Sequence, residues 1–108
     1  MIIDFEKFPL NTIEGFRGGE GLYYNRMFMD DANNIVYGIL PPGSSSGCHI
    51  HEPGCEVLYV LKGEILFNIE GKEERVAAGQ IHYCPTGCSH QMLNDTNETA
   101  EFFAVVVK

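Results

Sequence analysis

The sequence predicts an all-β protein, a small antiparallel β-barrel or sandwich. Runs rich in β-branched and aromatic residues recur roughly every eight to twelve residues, each closed by turn chemistry. Helical periodicity is absent, apart from short turns near residues 5–18. Several runs, notably "EVLYVL" (56–61) and "FFAVVV" (102–107), are apolar at consecutive positions, the pattern of strands covered on both faces.

The elements follow in order. "LYYNRMFM" (22–29) is built of β-formers and stops at "DDANN", whose Asp and Asn side chains favour turns. "IVYGIL" (35–40) is ended by "PPGSSSG" (41–47), which cannot continue a hydrogen-bonded ladder. "EVLYVL" (56–61) and "EILFNI" (64–69) flank Gly63, and a tight "EGKE" turn leads into "ERVAA" (74–78), closed by Gly79. "QIHYC" (80–84), "HQML" (90–93) and "EFFAVVV" (101–107) complete the set. No internal repeat or linker divides the chain, so residues 1–108 are read as a single domain.

Composition narrows the function. A formal charge of −8 leaves too few Lys and Arg to neutralise phosphates, which argues against a nucleic-acid or anionic-membrane partner. No apolar run is long enough to span a bilayer. The opening "MIIDFEKFPL" carries acids where a secretory signal needs a basic end, so a cytoplasmic location is expected. Cys48, Cys55, Cys84 and Cys88 are then expected as free thiols, and their spacing is not that of zinc-finger pairs. Too few helices exist to cover strands that are apolar on both faces. A second copy of the chain is the expected cover, and a homodimer the expected assembly.

The chemistry concentrates in "GCHIHEPGCE" (47–56). His49 and His51 are two apart, so on a strand both imidazoles leave one face with Cα atoms roughly 6.5 Å apart, close enough to converge on one ion. By the same alternation Cys48 and Ile50 face away. Pro53-Gly54 reads as a turn, after which Glu56 opens the next strand and can return to the same place. A fourth ligand has to come from elsewhere. His90, opening a strand after "YCPTGCS", and His82 are both candidates, and spacing alone does not choose between them.

Two longer patterns enclose these residues. Residues 43–63 place Gly43, His49, His51, Glu56 and Gly63 at intervals that match the first cupin motif, G(X)5HXH(X)3–4E(X)6G. Residues 79–94 place Gly79, Pro85, Gly87, His90 and Asn94 at intervals similar to the second, G(X)5PXG(X)2H(X)3N. With their spacer these blocks cover about half of the chain, which therefore resembles a small single-domain cupin. The resemblance implies a jelly-roll double sheet (a double-stranded β-helix) holding a metal inside, with His49, His51, Glu56 and His90 as ligands. The motif glycines, Pro85 and Asn94 are read as structural, serving turns and strand ends.

Three imidazoles and a carboxylate suit one divalent transition ion (Mn, Fe, Ni, Co, Zn or Cu) better than Ca or Mg. On an ion preferring six ligands they leave positions open for substrate. Cupins with such a set include dioxygenases, isomerases and lyases, so the resemblance implies a metal-dependent enzyme acting on a small oxygen-rich metabolite such as a sugar, sugar acid or organic acid. The alternative is a non-catalytic small-ligand-binding cupin with a structural or ligand-anchoring metal. His82 is the nominee for general base, because its imidazole titrates near neutrality and its strand leads to His90. Tyr24, Arg26 and Met92 are nominated as substrate contacts: Arg26 for an anion, Met92 because it shares a strand face with His90.

Overall fold

A computed structural model describes residues 1–108 as ten antiparallel strands in two facing sheets. The strands are β1 (Asn11–Glu14), β2 (Leu22–Met29), β3 (Asn33–Leu40), β4 (His49–Ile50) and β5 (Glu56–Lys62), then β6 (Glu64–Ile69), β7 (Lys72–Ala77), β8 (Ile81–Cys84), β9 (Ser89–Leu93) and β10 (Ala100–Val107). One sheet runs β1-β2-β3-β10-β5-β8 and the other β4-β9-β6-β7. This is the jelly-roll arrangement, and hydrogen bonding does not close it into a continuous barrel.

Turn chemistry sets the register. The Asp30 carboxylate accepts from the amides of Ala32 (2.9 Å) and Asn33 (2.8 Å), turning β2 into β3. Between β6 and β7, Glu70 and Gly71 both have positive φ, as a two-residue hairpin of matching twist requires, and Asn68 Oδ1 accepts from the Gly71 amide. Gly63 joins β5 to β6 at φ 76°, where a β-carbon would also press to 3.1 Å from the Thr99 carbonyl.

Inward-facing residues of both sheets make one core, with Leu40, Leu58, Val60, Ile65 and Phe67 fully shielded from solvent. Each such side chain contributes roughly 1.5–3 kcal/mol by leaving water. Asn94 closes the core at the end of β9: its Nδ2 donates to the carbonyls of Leu40 and Glu98, each at 2.8 Å, and its Oδ1 accepts from Thr96.

The outer face of the larger sheet is apolar too, and it divides into two parts. The N-terminal segment covers one part: Phe8 packs edge-on to Phe28, and Phe5 meets Tyr37 and Phe103. The other part, on β5, β8 and β10, is open, with Leu61 49 % and Ile81 59 % exposed beside Tyr59, Tyr83 and Val107. No helix is long and apolar enough to cross a membrane.

Candidate metal centre

The two sheets each bring ligand-type side chains to one point in the interior. β4 carries His49 opposite His90 of β9 in the four-stranded sheet. His51 follows β4 and is held by backbone bonds to the 85–90 turn, donating to Cys88 O and accepting from the Gly87 amide. Glu56 opens β5 in the six-stranded sheet, facing inward with Leu58 and Val60. Gly47 fixes the approach to β4: its amide donates to Phe16 O, and a β-carbon there would lie 1.8 Å from the Arg17 carbonyl, so only glycine fits.

The donor atoms of His49, His51, Glu56 and His90 all lie within 4.8 Å of one another. His90 Nε2 is 2.9 Å from His51 Nε2 and 3.1 Å from His49 Nε2. Glu56 Oε1 is 2.8 Å from His51 Nε2 and 3.3 Å from His90 Nε2. Two atoms each about 2.1 Å from a shared ion stand about 3.0 Å apart at right angles and about 4.2 Å apart when opposite, so these four spacings suit a cation at the centre, with the widest donors closing in by a few tenths of an ångström. Without one, three imidazole nitrogens and a carboxylate would face each other with protons for few of the contacts.

Electrostatics favour the ligating forms. Burial holds the His49 imidazole down at about 4, outweighing the opposite pull of the Gly47 carbonyl, so the ring is neutral at pH 7. Its Nδ1 sits 2.9 Å from that carbonyl, to which it donates, leaving an Nε2 lone pair for the cluster. Burial pushes Glu56 up, but the hydrogen bond from His51, together with the neighbouring His90 imidazole, more than offsets this and holds it at about 2. The carboxylate is ionised.

A cavity of about 170 Å³ opens beside the cluster. Its wall is mainly apolar, from Phe16, Met27, Val36, Phe102 and Met92. Arg17 stands at its edge with the guanidinium 5.7 Å from the Phe16 ring centre. Asn34 also lines it, and its buried Oδ1 has no hydrogen-bond partner in the protein.

Of the residues nominated from sequence as substrate contacts, Met92 lines this cavity. Tyr24 and Arg26 do not, which corrects their nomination: the strand turns Tyr23, Asn25 and Met27 inward, and Arg26 donates to Phe8 O on the outer face at 2.6 Å. His82 also needs correction as a base facing substrate. It is fully buried, stacked on Phe67 at 3.7 Å behind His90, and does not reach the cavity. Burial lowers its pKa, with Glu74 pulling the other way. Sequence reasoning missed Arg17, Asn25 and Asn34. Arg17 sits in the glycine-rich "EGFRGGEG" (14–21), a segment whose composition signals a loop but not what the loop approaches. All four cysteines are free, and none belongs to the cluster.

Comparison with known proteins adds relatives to this geometry. A family model described as the cupin domain matches residues 36–106. The oxalate-binding protein of Thermotoga maritima is 33 % identical over 99 % of this chain and 93 % of its own length. A crystal structure from the same organism, described as a predicted oxalate decarboxylase, superposes with a TM-score of 0.91 at 32 % identity, covering 99 % of this chain and 98 % of that one. The polyketide cyclase RemF of Streptomyces resistomycificus shares the fold at a TM-score of 0.79, with 21 % identity over 99 % of this chain and 78 % of its own.

Proposed function

The chain belongs to the cupin family, and from that premise we propose that it binds a small organic carboxylate at one divalent transition-metal ion held by His49, His51, Glu56 and His90. The observation that carries this reading is the convergence of three imidazole Nε2 atoms and one ionised carboxylate at the end of a cavity whose edge holds Arg17. A bound ion supplies Lewis acidity and open positions for carboxylate oxygens. Arg17 adds the positive charge and planar fork that suit the same group in an otherwise acidic protein. The apolar wall excludes water and accepts a hydrocarbon body, while Asn34 Oδ1 offers an acceptor to a hydroxyl or amine on it. At about 170 Å³ the cavity has room for roughly six waters at about 30 Å³ each, more than a two-carbon diacid fills, so carboxylates larger than oxalate belong in the ligand class.

Binding is favoured over proton-transfer catalysis because the metal ligands, Arg17 and Tyr23 are the only titratable groups on the cavity wall. Burial pushes the Tyr23 phenol far above its usual range, which makes it a poor base. A second reading, an enzyme whose chemistry depends on the metal and the bound anion, is favoured by the likeness to the structure described as a predicted oxalate decarboxylase. The working unit is taken to be one cupin domain, residues 1–108, in a cytoplasmic homodimer joined through the open face of β5, β8 and β10.

Protein purified without a metal-binding tag should contain about one transition ion per chain by elemental analysis. Calorimetric titration should detect oxalate and larger carboxylates with loaded protein and not after chelation. Equal binding by stripped protein overturns the proposal. Turnover of a carboxylate panel, with or without oxygen, selects the enzyme reading.

A further inference from the structure

Behind the cluster, a buried chain of hydrogen bonds leads away from His90 to the protein surface. His82 Nε2 lies 2.9 Å from His90 Nδ1, and His82 Nδ1 lies 2.6 Å from Glu74 Oε1. The two imidazole planes differ by 12° and their centroids are 5.1 Å apart, close to the separation of rings joined end to end by a 2.9 Å bond, so that bond lies near both ring planes. Phe67 stacks flat on His82, with an interplanar angle of 11°, and holds that ring against rotation. The chain also joins the two sheets, because Glu74 is on β7 and His82 on β8, the outermost strands of each.

Each link in this chain constrains the next. An ionised carboxylate only accepts hydrogen bonds, so Glu74 requires a proton on His82 Nδ1. A neutral His82 then offers a lone pair at Nε2, which requires a proton on His90 Nδ1. His90 is left with its lone pair at Nε2, the atom that faces His49, His51 and Glu56; the Glu56 carboxylate accepts instead from His51 Nε2, 2.8 Å away against 3.3 Å to His90. The reversed chain would place the His82 Nδ1 lone pair against the carboxylate and a proton on His90 Nε2, where it would block a metal.

We propose that Glu74 and His82 are positioning residues that select the tautomer of His90 able to bind metal. The inference rests on the metal-binding reading of the cluster, and it gives His82 the role of holding His90 rather than of exchanging protons with a substrate. Neither Glu74 nor His82 touches the cavity, so the effect passes entirely through His90.

Glu74→Gln is the informative variant, because that side chain is 47 % exposed and the change leaves the core packing intact. A Gln amide can donate as well as accept, so it no longer selects one tautomer. Long-range 1H–15N NMR of the metal-free protein should show His90 protonated at Nδ1 in the wild type, and a mixture of both tautomers in E74Q. Cobalt(II) affinity, measured by competition titration, should fall roughly 10–100-fold in E74Q, with an altered visible spectrum of the bound ion. A His90 tautomer unchanged in E74Q, or wild-type cobalt affinity in that variant, overturns the proposal. If the wild type takes up no cobalt while the tautomer still responds to E74Q, the metal reading fails and the tautomer selection stands.

Discussion

Gly38 and Phe102 face each other across the β3–β10 ladder, and a β-carbon on Gly38 would lie 2.2 Å from Phe102 Cζ. The ring lies over the glycine, stacks on Tyr23 with planes 7° apart, and forms part of the cavity wall. Gly38→Ala therefore pushes Phe102 from its place. Overpacking of this kind should cost about 1–3 kcal/mol in urea unfolding and weaken carboxylate binding by the loaded protein.

Metal should stabilise the fold through the ligand cluster. At a free concentration 100 times Kd the gain is about 2.7 kcal/mol, and it should appear as a rise in Tm on adding manganese or cobalt to chelated protein. His51→Ala should abolish both the rise and the stoichiometric metal content. Retention of either would separate the cluster from metal binding.

Asn94 is buried, and its side-chain amide donates to two backbone carbonyls. Asn94→Ala leaves the Leu40 carbonyl without that bond inside the protein. A loss of about 1–3 kcal/mol is expected in chemical denaturation, at any metal concentration.

Arg75 and Asp95 form a two-pronged pair, both N–O distances 2.8 Å, tying β7 to the loop after β9. The guanidinium holds the Asp95 carboxyl below its ordinary 3.8. A lowered folded-state pKa means that the pair stabilises fully above the unfolded value and loses this as pH falls through the folded one. Thermal melts of Arg75→Gln should thus fall below wild type at pH 7 and converge with it as acid protonates Asp95 in the folded protein, and they should approach it in high salt. A gap that persists in acid would assign the effect to packing.

The exposed residues Leu61, Ile81 and Tyr83 lie on the apolar outer face proposed to join two copies. Sedimentation should show a dimer at micromolar concentration. Ile81→Lys, a change at a residue 59 % exposed, should shift it to monomer without loss of fold.

The two motifs made the clustering of His49, His51, Glu56 and His90 legible, because each fixes several residues at set intervals around a turn. Facing was harder to read. In β2 the outward set Leu22, Tyr24, Arg26 and Phe28 is at least as hydrophobic as the inward set Tyr23, Asn25 and Met27. Hydrophobic alternation therefore gave no reliable inside, since the N-terminal segment covers the outer face there. β1 carries only Ile13 among polar residues and showed no strand pattern, yet it pairs fully with β2. His82 was identified as important from its strand, but the side of His90 on which it lies depends on how the two sheets meet. Arg17 reaches the cavity through contact with Gly47, thirty residues away in the sequence, and no local pattern encodes that.

β4 is only two residues long, and it fastens His49 to the sheet through a single short ladder with β9. Short ladders open at far lower free energy than the long strands around them. The segment that carries His49 and His51 is thus expected to open locally while the long strands around it stay folded. Metal exchange and amide-hydrogen exchange across residues 47–52 should therefore keep the same tempo, one faster than unfolding.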